Sequence, residues 1–199
     1  MATKKRPALV HRGDAKYTWD DTIAAIGQDF SGGTKRIADE TIAYTDVVRY
    51  AEPWEIGNPI YWDESAAKKA GYRGVVVPWS AIKQTFTFRG GWRPGHPQRF
   101  LTSDVNLMSN KPTELQEDGD PIPMPPVTQI VVTDVEIEFF EPVIVGDHLT
   151  AKGGKLTNVR PRKTRLGEGA FLNKQHEIYN QRGELVARIN QGDYYYNPA

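Results

Sequence analysis

Residues 50–78 read Tyr50-Ala51-Glu52-Pro53-Trp54-Glu55-Ile56-Gly57-Asn58-Pro59-Ile60-Tyr61-Trp62-Asp63-Glu64-Ser65-Ala66-Ala67-Lys68-Lys69-Ala70-Gly71-Tyr72-Arg73-Gly74-Val75-Val76-Val77-Pro78. Two short helical patterns flank an Asn-Pro turn. Thr45-Asp46 is a helix start, followed by Val47, Val48, Tyr50 and Ala51. Pro53 then disfavours continuation, because proline lacks the N–H a helix needs and its ring crowds the preceding turn. Asp63-Glu64 begins a second helix through Ala66-Ala67, closed by Gly71. Pro78 suits the first turn of a third, carrying Ala81, Ile82 and Phe86.

The C-terminal half reads as antiparallel sheet. Val131, Thr133, Val135, Ile137 and Phe139 alternate with Val132, Asp134, Glu136 and Glu138, the period of a strand with one buried face. Pro142 and Gly146-Asp147 punctuate the turn into a strand beginning near His148. Runs from Ala170 to Tyr179 and from Glu184 to Tyr196 are separated by Asn180-Gln181-Arg182-Gly183, a hairpin turn. A helix-bearing block followed by several long strands gives the α+β class.

Residues 50–78 resemble the hydratase signature of the MaoC-like hotdog proteins, in particular their FAS1-like dehydratase branch. There, two short helices around an Asn-Pro turn lead into a helix wrapped by an antiparallel sheet. Phe140-Glu141-Pro142-Val143, Gly146-Asp147 and Gly183-Glu184-Leu185-Val186-Ala187 are similar to the family's C-terminal landmarks. The active signature reads Gly-Asp-x-Asn-Pro-x-His, its Asp and His forming the acid/base pair that adds or removes water beside a thioester. Laid on this chain without a gap, the Asp falls on Ile56 and the His on Tyr61, while Asn58-Pro59 is kept. Hydration needs one group to activate water and one to protonate the α-carbon. Isoleucine does neither, and a tyrosine of ordinary pKa near 10 is a poor base at neutral pH. Glu55 also replaces the Gly, and Pro53 stands where the family continues its helix.

The resemblance implies a dimer-forming hotdog with an acyl-thioester tunnel beside the central helix. On it, Asn58, Pro78, Trp79 and Ser80 are the expected substrate-binding positions, the helix N-terminus facing a thioester carbonyl. Packing in the core is the competing reading for Trp79. Arg160, Arg162, Lys163 and Arg165 are candidates for coenzyme A phosphates, against the simpler reading of a solvated hairpin tip. The chain divides into an N-terminal arm, 1–33, and one hotdog domain, 34–196, with a Pro/Gly-rich excursion at about 89–126.

At 199 residues the chain is long enough for one sizeable core. Its 25 Lys+Arg balance 25 Asp+Glu, which leaves no general electrostatic reason to expect nucleic acid. Lys4-Lys5-Arg6 is a basic cluster at a terminus and is read as solvated. The chain has no Cys, so disulfides, Cys-based zinc sites and thiol nucleophiles are excluded. No apolar run reaches membrane-spanning length, and the expectation is a cytoplasmic protein without a membrane partner or metal.

Of the four histidines, none has a metal-ligand spacing. His11 lies in the arm, and His148 and His176 lie on strands. His96, in the turn-rich Gly90-Gly91-Trp92-Arg93-Pro94-Gly95-His96-Pro97, is the best substitute base, with a surface role as the plainer reading. Asp63 and Glu64 are explained by the helix dipole. Glu55 or Asp63 keeps a thioesterase open, and Ser80 lacks a Gly-x-Ser-x-Gly elbow. The resemblance therefore implies a degenerate companion subunit that shapes the tunnel of a heteromeric enoyl-CoA hydratase. Its partner would be a second hotdog with the intact Asp/His motif, and its only small molecule an acyl-CoA or acyl-carrier-protein thioester, with no cofactor. The alternatives are a non-catalytic acyl-thioester binding module and an autonomous hydratase or thioesterase with a non-standard base. Phe139, Phe140 and Tyr194-Tyr195-Tyr196 are the expected interface aromatics, with ordinary core packing an equal reading for Phe139.

Overall fold

Among the described residues, five antiparallel strands make one sheet in the order β1-β3-β4-β5-β2, where β1 is Lys35–Ile37, β2 Gln129–Phe139, β3 Thr150–Thr164, β4 Gly167–Tyr179 and β5 Leu185–Pro198. The computed structural model describes residues 13–38, 40–82 and 120–199. The β4–β5 turn falls on 180–183 as read from sequence, with the Gly183 N–H donating to the Asn180 carbonyl and Asn180 Oδ1 accepting from the Arg182 and Glu184 N–H groups. Helix α1 is Trp19–Ala24, α2 Tyr44–Ala51 and α3 Glu64–Lys69.

The two helices around the Asn-Pro turn end in the same way. After α3, Tyr72 N–H reaches the Ala67 carbonyl and Gly71 N–H the Lys68 carbonyl, with Gly71 at φ 93°. This is a Schellman closure, whose left-handed residue favours glycine. After α2, Ile56 N–H reaches Ala51 and Glu55 N–H reaches Glu52, and the left-handed residue is Glu55 at φ 52°. Glu55 thus occupies the position where the signature carries Gly, in a conformation a side chain adopts at a cost. At the helix starts, the Asp46 carboxylate accepts from Ala43 N–H, which moves the start of α2 one residue ahead of Thr45, and Asp63 Oδ1 accepts from Ala66 N–H at 2.6 Å. Asp63 is therefore an N-cap.

The chain from Val75 to Val77 is buried, and Val77 N–H and Val145 N–H bond to the Val143 and Val75 carbonyls. This pairing delivers Pro78 to the sheet, where a 3-10 turn, Trp79–Ala81, begins the third helical segment. Phe86 and the excursion from 89 to 119 lie outside the described residues. One core cluster joins Val47, Val77, Ile82, Leu149, Val186 and Ile189 beneath α2 and this turn. A second joins Met124, Leu156, Leu172 and Tyr195, with Trp19 and Phe30 packed on it.

Three readings from sequence change. Residues 13–33 carry α1, opened by a Thr18–Asp21 capping box, and dock on β3 through Gly27 N–H to Leu156 and Phe30 N–H to Gly154. The Thr18-x-x-Asp21 spacing was the available signal. The alternation in β2 holds from Asp134 onward, but a bulge between Val132 and Asp134 shifts the register, so Ile130 and Val132 share the face of Val135, Ile137 and Phe139. Among the described residues that face has no full cover: β2 stands at the edge of the strand order, and Val132 is 56% exposed. Tyr194 and Tyr195 are buried inside their own chain, Tyr194 stacking on Phe171 and Tyr196 and donating to the Arg162 and Gly167 carbonyls. Their rings are packed within the chain. Phe139 and Phe140 stay exposed.

Candidate functional site

Ile56, Tyr61, Pro78, Trp79, Ser80, Val135, Ile137 and Phe139 line one cleft of about 460 Å³, within the size range of small-ligand sites. Three segments build it: the α2–α3 connection, the turn after Pro78, and the exposed apolar face of β2. The connection is held tightly. The Trp62 indole N–H donates to the Ile56 carbonyl at 2.6 Å, the Tyr44 hydroxyl donates to the Trp62 carbonyl, and Asn58 Oδ1 accepts from Ile60 N–H. Ile56 is thereby fixed at both backbone groups, by Ala51 and by Trp62.

The cleft is apolar except at the Tyr61 and Ser80 hydroxyls. Burial first, and then the neighbouring Tyr72, push the Tyr61 phenol above its ordinary value. It stays protonated at neutral pH, able to donate a hydrogen bond and unable to act as a base. Trp79 meets Phe139 edge to face, with ring centroids 4.7 Å apart, so it packs against the β2 wall and lines the cleft at once. Among the lining residues none is a carboxylate, histidine or lysine. The arrangement can hold an apolar chain and orient it, and among the described residues it supplies no carboxylate, imidazole or amine to act as a base.

Five of the sequence-predicted positions, Ile56, Tyr61, Pro78, Trp79 and Ser80, are thus brought together. Asn58 is not among the lining residues and acts as an N-cap for the 3-10 turn Pro59–Tyr61. The β2 wall was missed as a site because its alternation was read as an ordinary buried face. His11 and His96 lie outside the described residues. His148 is committed to structure, its Nε2 lying 2.6 Å from the Ala38 carbonyl. The landmark Asp147 is buried and joins Gln181 and Arg182, the latter also pairing with Glu184.

Arg160, Arg162, Lys163 and Arg165 are exposed at the β3–β4 hairpin, with the Arg160 guanidinium over the Phe171 ring. Ile137 pairs with Ile189 and Gly167 with Pro198, so the cleft wall and the hairpin tip are separated by nine residues of β5, about 30 Å. Within one chain the cluster does not meet the cleft.

A family model for the FAS1-like, dehydratase domain region matches residues 24–189. A Thermomonospora curvata protein named "Probable enoyl-CoA hydratase alpha subunit" is 30% identical over 156 residues, 78% of this chain and 45% of the relative. The 3-oxo-4,17-pregnadiene-20-carboxyl-CoA hydratase alpha subunit of Mycobacterium tuberculosis is 29% identical over 187 residues, 90% of this chain and 53% of the relative. The chain spans about half the length of these curated relatives. Among solved structures, a chain of the ChsH1-ChsH2 complex from Mycobacterium tuberculosis superposes with a TM-score of 0.64 at 24% identity, covering 91% of this chain and 97% of that one. The MaoC-like dehydratase from Rhodospirillum rubrum gives 0.51 at 20% identity, covering 88% and 95%. The matched region and the shared sheet agree: the chain belongs to the FAS1-like dehydratase domain family, of MaoC-like hotdog fold.

Proposed function

We propose that this chain is the companion subunit of a heteromeric enoyl-thioester hydratase, lining the acyl tunnel while a second hotdog with an intact Gly-Asp-x-Asn-Pro-x-His motif supplies the chemistry. The observation that carries this is the cleft itself: it has a ligand-sized volume and is lined by Ile56 and Tyr61, the two residues on which the signature's Asp and His fall. Adding water to an enoyl thioester places the water oxygen on the β-carbon, returns one proton through a base and delivers one proton to the α-carbon. In the proposed assembly these transfers belong to the partner. This chain holds the apolar part of the substrate against Trp79, Phe139 and Ile56 and excludes water from it. The substrate is a thioester of coenzyme A or of acyl carrier protein, and the reaction needs no further cofactor. Two relatives named as alpha subunits of enoyl-CoA-type hydratases support a shared assembly.

The test is the loss of enoyl-CoA absorbance with the purified chain, with an intact-motif hotdog from the same genome, and with both. The expected result is no useful turnover alone and restored turnover in the mixture. Robust turnover by the isolated chain, abolished in His96→Ala, would overturn the reading in favour of an autonomous enzyme.

A further inference from the structure

From its charge pattern, we infer that the free edge of β2 selects a partner strand bearing Lys or Arg on its outer face and apolar residues on its inner face, and disfavours a second copy of this chain. This deepens the companion reading above by naming the chemistry of the partner's edge. β2 carries two distinct rows. The inner row is Ile130, Val132, Val135, Ile137 and Phe139, and the outer row after the bulge is Asp134, Glu136 and Glu138. The strand contains no Lys or Arg. Its neighbour β5 uses one side of it, and among the described residues no strand takes the other side. The opposite edge of the sheet, β1, is three residues long and carries Lys35 and Arg36, features that blunt edge pairing. The long, apolar-faced β2 has no such protection except its acids.

Self-pairing fails on register. In a two-fold antiparallel pair, opposite residues point to the same face, and like charges directly opposite destabilise the pair. Centring the two-fold on Val135 sets Asp134 against Glu136 twice. Centring it on Glu136 sets Glu136 against itself and Asp134 against Glu138 twice, and centring it on Ile137 sets Glu136 against Glu138 twice. Every register that covers the inner apolar row therefore stacks acid on acid. Within the chain only Glu138 is neutralised, by Arg188 at 2.9 Å. Asp134 accepts hydrogen bonds from Thr133 and Asn173, and Glu136 has no ion pair among the described residues. A basic outer row across the edge turns each of these repulsions into an attraction while leaving the inner row to close over the cleft.

The experiment mixes the full chain with its own D134K/E136K double variant, which keeps the Glu138–Arg188 pair, and counts homo- and heterodimers by native mass spectrometry at low and high salt. The expected result is mixed dimers well above the statistical proportion at low salt, returning toward it at high salt. A statistical mixture at both salts overturns the inference. If the double variant does not fold by circular dichroism, Glu136→Gln takes its place, measured by sedimentation of the single chain. Self-association strengthened severalfold over wild type, with wild type itself tightening as salt rises, supports the inference; unchanged or weakened self-association overturns it. Association, not turnover, is read, so an inactive but charge-selective pair and an active but unselective one are told apart.

Discussion

At the scale of single residues, Glu55 and Ile56 mark how the site was remodelled. The Schellman closure after α2 needs one left-handed residue, and Glu55 fills it at φ 52°. Replacing it with glycine removes a strain of about 1–2 kcal/mol and adds unfolded-chain entropy of about 0.5–1 kcal/mol. Glu55→Gly is expected to raise stability by up to about 1 kcal/mol in urea unfolding; a loss of stability would show that the glutamate side chain holds the turn. Asp147 is the contrasting case. It is buried with Arg182 and Gln181 as partners, and Asp147→Ala leaves Arg182 without its buried partner. Arg182 is partly exposed and keeps Glu184, while Ile144 N–H loses its Asp147 acceptor, so the expected loss is about 1–3 kcal/mol, and a loss below about 1 kcal/mol would put the network outside the stabilising core. Arg162, which pairs with Gly169 opposite Tyr196, lies seven residues of β5 from the Ile137 partner Ile189, about 23 Å, and should behave oppositely to a ligand contact. Arg162→Glu is expected to leave acyl-CoA affinity of the isolated chain unchanged at low and high salt, as read by calorimetry, and a salt-dependent loss would restore the phosphate role.

At the scale of elements, what was legible from sequence follows local chemistry, and what was not follows pairing. Asp63 and Gly71 announce α3 because a cap and a left-handed stop are chemical signals carried by one residue each. Asn180–Gly183 announces its hairpin for the same reason. The bulge in β2 is invisible in Val131-Val132-Thr133-Asp134, since only the partner strand fixes where the extra residue sits. Whether Val135, Ile137 and Phe139 face a core or an edge depends on strand order, which alternation does not encode. The cleft was half legible: Ile56, Tyr61 and Trp79 lie in the signature, whereas its β2 wall comes from residues more than fifty positions away. Trp79 and Phe139 join the two halves. Trp79→Ala in the complex is expected to remove that contact and widen the cleft, shifting preference toward bulkier acyl groups; an unchanged acyl preference would assign Trp79 to packing alone.

At the scale of the whole molecule, pH dependence follows from where the carboxylates and phenols are tied. Hydrogen bonding from the Tyr179 hydroxyl, then from Arg188, holds Glu177 below its ordinary value against the opposing effect of burial. The Ser31 backbone N–H does the same for Asp29, and the Asn180 amide followed by Arg182 for Glu184. A carboxylate whose folded pKa is depressed stabilises the fold at pH above its unfolded value, about 4, and loses that contribution as pH falls through the folded value. The alkaline side is governed by Tyr179, raised chiefly by its bond to Glu177, and Tyr61, raised chiefly by burial. A raised phenol stabilises the fold below about pH 10 and loses the effect as pH climbs through its folded value. Stability should therefore be flat from about pH 5 to pH 9 and fall on both flanks. Tyr179 and Glu177 share one hydrogen bond that links the flanks, since the same contact lowers one group and raises the other. Tyr179→Phe should soften both flanks together in thermal melts taken across pH. A variant that altered the alkaline flank alone would show Arg188, and not the phenol, to be the main support of Glu177.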